Sequence, residues 1–474
     1  MTNALEERAR RVNGLPSRGR DARPLGQRIL TSPWTWVTVA AALVFATCLY
    51  AQFSMITTSV LVEGCPPETA NNGLSVAAVR QGAIYAAPTL AFWIVLYLIA
   101  DRFRPQRPLV WFLALGWGGC VATWLALNAN DWAASNLGID RCGVGDPAAA
   151  ARVAIFVAPF VEEGAKATVL FFLAILVRNR LTSKVSLIAL GGLSAAAFAF
   201  TENIIYYAQV IQYASTTIDV GDANAAIANI VQLRGVMTAF GHPLFTMMTA
   251  TGVAIALRTR SKVVRILAPL AGYLIAAFLH MVFNSQSGMV STQNLAYPYV
   301  FVALPLVLVA VIYAVRQELA QGKLIRARLT DYVRVGWLTD RDPVVFSRLR
   351  TRGRALAIAL TRGWRPWLAT VRLQRAMTEM AYLRDAEASG LIDEAATLRA
   401  LDLLDTIRAV RPAAVDDPRG QRLNLPRLSL PGRRQKTLPP PSPYDFGGWP
   451  PPSAGSAPVT GYSAVDPSWG PPPG

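Results

Sequence analysis

Residues 34–55 read WTWVTVAAALVFATCLYAQFSM, a stretch without one charged side chain. About 20 apolar residues in a helix cross the roughly 30 Å of hydrocarbon in a bilayer. Further apolar stretches follow at residues 83–100, 109–127, 150–177, 185–211, 233–257, 264–284 and 297–315. We therefore predict an all-α, polytopic membrane helix bundle of about eight transmembrane helices.

The composition of the whole chain agrees with this class. Of its 474 residues, 53% are hydrophobic and 16% are charged, against roughly 25% charged residues in soluble domains. The net charge of +17 does not predict nucleic-acid binding, because the basic residues flank the apolar stretches and do not form one basic domain. We expect the lipid bilayer as a partner and no nucleic acid.

Basic residues occupy alternate loops. They are concentrated at residues 101–108, 178–184 and 258–265, whereas the loops at 56–82, 128–149, 212–232 and 285–296 are nearly free of them. Basic loops stay on the cytoplasmic side of a membrane. We therefore expect a multi-pass protein of the plasma membrane with both termini in the cytoplasm.

The chain divides into four regions by composition. We predict a basic disordered segment, the eight-helix membrane domain, a cytoplasmic helical region and a Pro-rich disordered tail, at residues 1–30, 31–316, 317–412 and 413–474. Helical spacing of apolar residues at 371–388 and 394–410 predicts a hairpin. The tail either is solvated or docks a groove-type partner.

Residues 348–367 mix arginines with aliphatic side chains and tryptophans. This pattern fits two structures: a helix lying on the inner membrane surface, or an ordinary packed helix.

The four cysteines have no spacing typical of a zinc or redox motif. Cys48 and Cys120 lie within predicted spans, whereas Cys65 and Cys142 lie in the first two outer loops. Because an oxidising exterior permits disulfides, we predict a Cys65–Cys142 bond.

Four consecutive predicted spans carry polar residues that are unfavourable in lipid. The set is Glu162, Glu163, Lys166, Glu202, His242, His280 and Asn284. An unpaired charge at a helix centre costs on the order of 2.5–3.5 kcal/mol, so such residues persist where they pair, bind an ion or do chemistry. At about 1.5 Å per residue, the alternating helices bring these residues to similar depths in the outer half of the membrane. We therefore predict one site.

Each of these features also has a simpler structural explanation. Glu162 and Lys166 could form an ion pair along one helix, Glu202 could pair with Arg234, and an intramembrane histidine could bond a neighbouring helix. The coincidence of all of them at one depth favours a functional site.

Read in order, the motifs resemble those of a known protease family. Glu162-Glu163-x-x-Lys166, Phe198-x-x-x-Glu202-Asn203, His242 and His280-x-x-x-Asn284 are similar to the PrsW family of intramembrane proteases, and more distantly to the CAAX prenyl-protease and bacteriocin-processing superfamily. Glu202 stands where the wider superfamily has histidine, as it does in PrsW proteins. The resemblance covers about residues 34–315.

The resemblance implies hydrolysis of peptide bonds in a membrane protein substrate, for example a single-pass anti-sigma factor. Glu162 or Glu163 would then activate water, and we expect Glu163 to face the cavity. Glu202, His242 and His280 would ligate a divalent metal such as zinc, or the histidines would stabilise the oxyanion directly.

The remaining polar residues would support this chemistry. Lys166 would tune the carboxylates, and Asn284 would orient His280 or the substrate. Because His242 precedes Pro243, we expect a break in the helix there.

Two other functions are alternatives to proteolysis. An ion- or proton-coupled transporter would employ them as a conduction path, although the sequence shows neither an internal repeat nor a pair of broken helices, which transporters often have. A catalytically silent scaffold would instead act through its cytoplasmic part.

Overall fold

The structure is a computed structural model. It describes residues 5–8, 10, 24–59, 73–103, 106–136, 147–176, 183–216, 222–289, 300–301, 304–390 and 396–422. All regular secondary structure in these ranges is helical, which confirms the predicted all-α class. Cys65, Cys142 and most of the two terminal segments lie outside the described residues, so the disulfide stays a prediction.

Within the described residues, twelve α-helices extend up to the last predicted span, and all but the first and the ninth lie on apolar stretches. They are α1 Leu25–Leu30, α2 Pro33–Thr57, α3 Val76–Ala100, α4 Pro108–Gly116, α5 Thr123–Asn136, α6 Pro147–Phe156, α7 Ala158–Leu176, α8 Lys184–Thr216, α9 Ala223–Gln232, α10 Gly241–Ala256, α11 Lys262–Met289 and α12 Leu304–Arg334. A π-helical turn, Trp117–Ala122, joins α4 to α5, and a second one, Leu233–Met237, follows α9.

Six helices in the described residues are long and apolar enough to cross a membrane: α2, α3, the continuous α4–α5, α8, α11 and α12. The predicted spans at 150–177 and 233–257 are instead interrupted. α6 and α7 meet at a break at Val157, and α10 begins only at Gly241. The interruption before α10 was predicted from Pro243, whereas the one at Val157 was not, and both lie beside the polar residues of the predicted site.

Helix α8 lies at the centre of the bundle. It packs against α3 on one side and α10 on another, and α10 in turn packs against α11. Small residues permit this close approach. A Cβ atom at Gly192 of α8 would overlap the ring of Tyr97, and one at Gly118 would overlap the backbone of Ser194. The tight packing fixes Glu202, which lies two turns beyond Ser194 on the same helix.

The described C-terminal part contains four more helices. They are α13 Asp342–Ser347, α14 Leu349–Thr361, α15 Trp364–Ala388 and α16 Ala396–Val410. α12 runs without a break past residue 316 into this part, where it shares a second apolar core with the later helices. Leu329, Phe346, Leu373, Met377 and Leu404 are all buried in that core. The two segments predicted as a hairpin correspond to α15 and α16, which pack together.

Candidate active site

The first motif lies on α7, directly after the break at Val157. Lys166 is three residues after Glu163 and four after Glu162, so all three side chains reach the same region of the helix surface. The Lys166 Nζ atom lies 2.6 Å from Glu163 Oε1 and 3.7 Å from Glu162 Oε2. Glu163 and Lys166 are both fully buried. The ion pair that served as a simpler explanation is therefore present, with Glu163 as the closer partner.

Glu163 is held from three helices at once. Besides the ammonium of Lys166, its carboxylate accepts a hydrogen bond of 2.7 Å from the hydroxyl of Thr246 on α10. Its Oε1 lies 3.1 Å from Nδ1 of His280 on α11. These partners surround Glu163, so our expectation that it faces the cavity was wrong.

Glu162 is the glutamate that lines the cavity. Its Oε2 atom is buried and has no hydrogen-bond partner among the described residues. The nearest imidazole nitrogen is Nε2 of His280, at 3.9 Å. Leaving a buried carboxylate oxygen unbonded is costly, which indicates that Glu162 faces a water, an ion or a substrate group.

His280 is held in one orientation. Its ring stacks on Phe245, with the centroids 5.1 Å apart and the planes 20° from parallel. Because the carboxylate of Glu163 can only accept, Nδ1 of His280 carries the hydrogen of that contact. The lone pair of Nε2 is then directed toward Glu162 and the cavity. A carboxylate that orients a histidine in this way is common behind metal-ligating histidines.

His242 lies in the first turn of α10. Its Nδ1 is 3.0 Å from Nζ of Lys166, and its Nε2 is 2.8 Å from Oε2 of Glu202. Since an ammonium only donates, Nδ1 accepts and Nε2–H donates to Glu202. The predicted break lies at residues 238–240, just before His242, which is itself helical. The rings of His242 and His280 meet edge to face at 5.1 Å.

Glu202 lies behind His242 and is paired with an arginine. Arg234 donates from Nη2 to Glu202 Oε2 at 2.8 Å and from Nε to the side-chain oxygen of Asn203 at 2.9 Å. Its guanidinium also covers the ring of Tyr206 at 3.8 Å. The π-helical turn Leu233–Met237 carries Arg234 to this position. The pair that we considered as a structural alternative for Glu202 is therefore present.

Asn284 directs the hydrogen bond of its amide to the protein backbone and not to a histidine. Its Nδ2 donates to the backbone oxygen of Ala154 at 2.8 Å, which ties α11 to α6. It still lines the same cavity as Glu162 and His280.

Three side chains could hold a metal ion together. Glu162, His242 and His280 each offer a ligand atom, and these atoms lie within 4.8 Å of one another. This candidate set has Glu162 in place of the predicted Glu202, which is engaged by Arg234. Two imidazoles and one carboxylate, with a position left for water, fit a catalytic divalent site. The unbonded Glu162 oxygen agrees with this. To bind an ion, one ring nitrogen of His242 would give up its contact with Lys166 or with Glu202.

The site borders a cavity of about 730 Å³. Glu162, Glu202, Arg234, His242, His280 and Asn284 all line it. Asn130, Gln209 and Gln286 also line it, and they lie near the C-terminal ends of α5, α8 and α11. The charges of the loops predict that these helix ends lie on the outer side of the membrane.

The fold and site together define a multi-pass membrane protein with buried carboxylates and histidines around an internal cavity. Residues 105–313 match the family model described as PrsW family intramembrane metalloprotease. That segment contains all seven predicted site residues, so the predicted resemblance is confirmed and the match supports a membrane-embedded peptidase. Comparisons with curated proteins and with solved structures gave no match.

Two contributors to the site were missed as functional residues by sequence reasoning. Thr246, which bonds Glu163, carries no signal, because hydroxyl side chains are common in membrane helices. Arg234 did carry one, since an arginine at the start of a predicted span is unfavourable unless it is paired.

Proposed function

We propose that this protein is an intramembrane protease that hydrolyses peptide bonds of membrane protein substrates. One observation carries the proposal. Glu162, whose Oε2 atom has no hydrogen-bond partner among the described residues, lines the cavity together with His280 and His242. The similarity of residues 105–313 to PrsW proteins supports the same reaction.

Glu162 is the general base of the proposed reaction. A water between Glu162 Oε2 and His280 Nε2, which are 3.9 Å apart, would donate one hydrogen to each of these acceptors. Glu162 takes a proton as the water oxygen bonds to the peptide carbonyl carbon. The protonated Glu162 then delivers that proton to the amide nitrogen as the C–N bond breaks. The products are a carboxylic acid and an amine.

The buried residues behind Glu162 position the reacting groups. Glu163 fixes the ring of His280, and Glu202 fixes that of His242. Lys166 balances the charge of Glu163 and contacts His242. Preorganised groups of this kind act strongly where water is excluded.

A divalent metal such as zinc would be held by Glu162, His242 and His280; His280 Nε2 would then bind the ion instead of accepting from the water, and the ion would polarise the carbonyl as a Lewis acid. A carboxylate has two oxygens, so Glu162 can offer one to an ion and keep the other as a proton acceptor.

The substrate class and the location belong to the same proposal. The resemblance suggests a single-pass anti-sigma factor as an example of the substrate. The protein itself would lie in the plasma membrane. Arg10 near the N-terminus pairs with Asp402 of α16, with 2.8 Å from Nη1 to Oδ2. This contact requires an even number of crossings between the two residues, which supports termini on one side of the membrane.

The test uses the full-length protein in lipid nanodiscs with a transmembrane peptide substrate. Mass spectrometry of the products should show cleavage by the wild-type protein. The variant His280→Phe retains a ring that can stack on Phe245 and lacks both nitrogens, so it should not cleave. Glu318→Gln is the matched control, because Glu318 pairs with Arg102 at 3.3 Å, away from the cavity. It should cleave normally.

The competing functions give different results in this test. Ion flux into vesicles without cleavage would favour a transporter. Neither flux nor cleavage of any membrane peptide would favour a silent scaffold.

A further inference from the structure

The corner between α14 and α15 is strongly basic. From residue 343 to 378 the sequence has no acidic residue. The arginines in this stretch are Arg348, Arg350, Arg352, Arg354, Arg362, Arg365, Arg372 and Arg375. Arg352 is buried, and most of the others are exposed. The stretch therefore presents an uncompensated positive surface.

The charge of the exposed arginines is not neutralised locally. Within the described part of the chain, Arg348, Arg350 and Arg365 form no ion pair. Arg354 and Arg362 bond only the neutral Gln421. The carboxylate of Asp417, on the same C-terminal segment as Gln421, is paired with Arg419 at 2.7 Å.

Helix α15 lies across the cytoplasmic ends of the bundle. Arg375 donates to the backbone oxygen of Gln106, which follows α3, at 3.4 Å. Two turns later Tyr382 donates to Gln321, which also accepts from Ser183 at the start of α8. One turn further, Asp385 pairs with Arg258 after α10, at 2.9 Å. These contacts hold α15 against helix ends for which the loop charges predict the cytoplasmic side.

The N-terminal half of α15 continues outward from this base. Residues 364–374 precede its first contact with the bundle, and they add about 16 Å along the same direction at 1.5 Å per residue. At the tip, Trp364 is 64% exposed and Leu360 is 60% exposed. The rings of Trp364 and Trp367 stack at 4.8 Å. The N-terminal tip of α15 thus carries exposed tryptophan and leucine side chains beside exposed arginines.

We propose that this tip docks on the anionic phospholipid headgroups of the cytoplasmic leaflet. Tryptophan is favoured at the headgroup level, and each Lys or Arg near an anionic membrane adds attraction. The position of α15 at the predicted cytoplasmic ends of the bundle, the exposed apolar side chains and the unpaired arginines point to the same occupant. The sequence allowed either a helix on the inner membrane surface or an ordinary packed helix. The proposal combines the two: one face of the segment packs in the protein, and the exposed face docks on lipid.

The test is photocrosslinking of the full-length protein in nanodiscs. The variant Trp364→p-benzoylphenylalanine is compared in discs containing roughly one-third phosphatidylglycerol and in discs of phosphatidylcholine alone. Intact mass identifies the adduct. Val335→p-benzoylphenylalanine is the matched control, since Val335 is 63% exposed but directly follows α12, which runs well past residue 316, and it lies outside the basic stretch.

We expect at least about threefold more lipid adduct at position 364 with phosphatidylglycerol than without it, and little adduct at 335. Adding Arg348→Gln, Arg350→Gln and Arg365→Gln should remove the difference, because these arginines supply the positive charge that attracts the anionic lipid. The fold should persist, because these exposed side chains form no ion pair among the described residues. Equal lipid adduct in both discs would overturn the proposal. A protein adduct at 364 in native membranes, without a lipid adduct, would also overturn it and indicate a protein partner.

Discussion

Oε1 of Glu163 on α7 lies 3.1 Å from Nδ1 of His280 on α11. This contact joins the two halves of the candidate site. It fixes which nitrogen of His280 faces the cavity, and it places Glu163 behind the histidine and Glu162 in front. A carboxylate that holds a histidine is a supporting residue, so the two adjacent glutamates have different roles.

The first prediction concerns the buried pair of Glu163 and Lys166. Glu163→Gln leaves the ammonium of Lys166 in the protein interior without its closest charge, and breaking such a pair costs about 3–5 kcal/mol. We expect a clearly lower Tm in nanodiscs. Adding Lys166→Met removes the unpaired charge, so the double variant should regain much of the Tm without regaining activity. A wild-type Tm for Glu163→Gln would contradict the pairing.

The sequence was sufficient to predict that these residues meet. Charged groups in several spans are unfavourable unless they are paired, and helical rise places Glu163, His242 and His280 in one layer. The rotation of α7 could not be predicted. Adjacent residues point about 100° apart, and the choice between Glu162 and Glu163 depends on Thr246 and His280, which lie on other helices. The local break at Val157 does have a signal, because Pro159 lacks the N–H that would bond the carbonyl of Ile155.

The second prediction concerns Arg234. Its guanidinium donates hydrogen bonds to the side chains of both Glu202 and Asn203. Glu202 in turn accepts a hydrogen bond from Nε2 of His242. Lysine retains the charge but cannot form the same two-pronged contact. We expect Arg234→Lys to lower kcat by about tenfold, since one mispositioned supporting group costs on the order of 1–2 kcal/mol, with little change in KM. A change confined to KM would show that Arg234 binds substrate instead.

The third prediction concerns metal binding. Glu162, His242 and His280 offer three ligand atoms within 4.8 Å of one another. We expect about one divalent ion per chain in purified wild-type protein, measured by elemental analysis, and a large loss in His280→Phe. The same metal content in both proteins would place any bound ion elsewhere.

The fourth prediction concerns the link between the C-terminal helices and the bundle. Burial lowers the pKa of Arg352 to about 10. Its guanidinium donates to the backbone oxygen of Phe103 at 3.0 Å and to the hydroxyl of Thr378 at 2.7 Å. Arg352→Lys keeps the buried charge but cannot reach both acceptors.

Leaving one buried acceptor unbonded costs about 1–3 kcal/mol. We therefore expect Arg352→Lys to speed limited proteolysis within α14 and α15, at unchanged peptide cleavage. Arg350→Lys, at an exposed position nearby, is the control. Equal proteolysis rates for the two variants would contradict the structural role of Arg352.

The most direct test of the account is the rate at which Glu162→Gln cleaves a transmembrane peptide, relative to Glu318→Gln. Removing a general base reduces rates by about 10²–10⁴-fold, and we predict a loss of that size for Glu162→Gln with a Tm close to that of the wild type. Glu318→Gln carries the same chemical change outside the cavity and should cleave at the wild-type rate. Cleavage by Glu162→Gln at the rate of Glu318→Gln would contradict the role of Glu162 as the base.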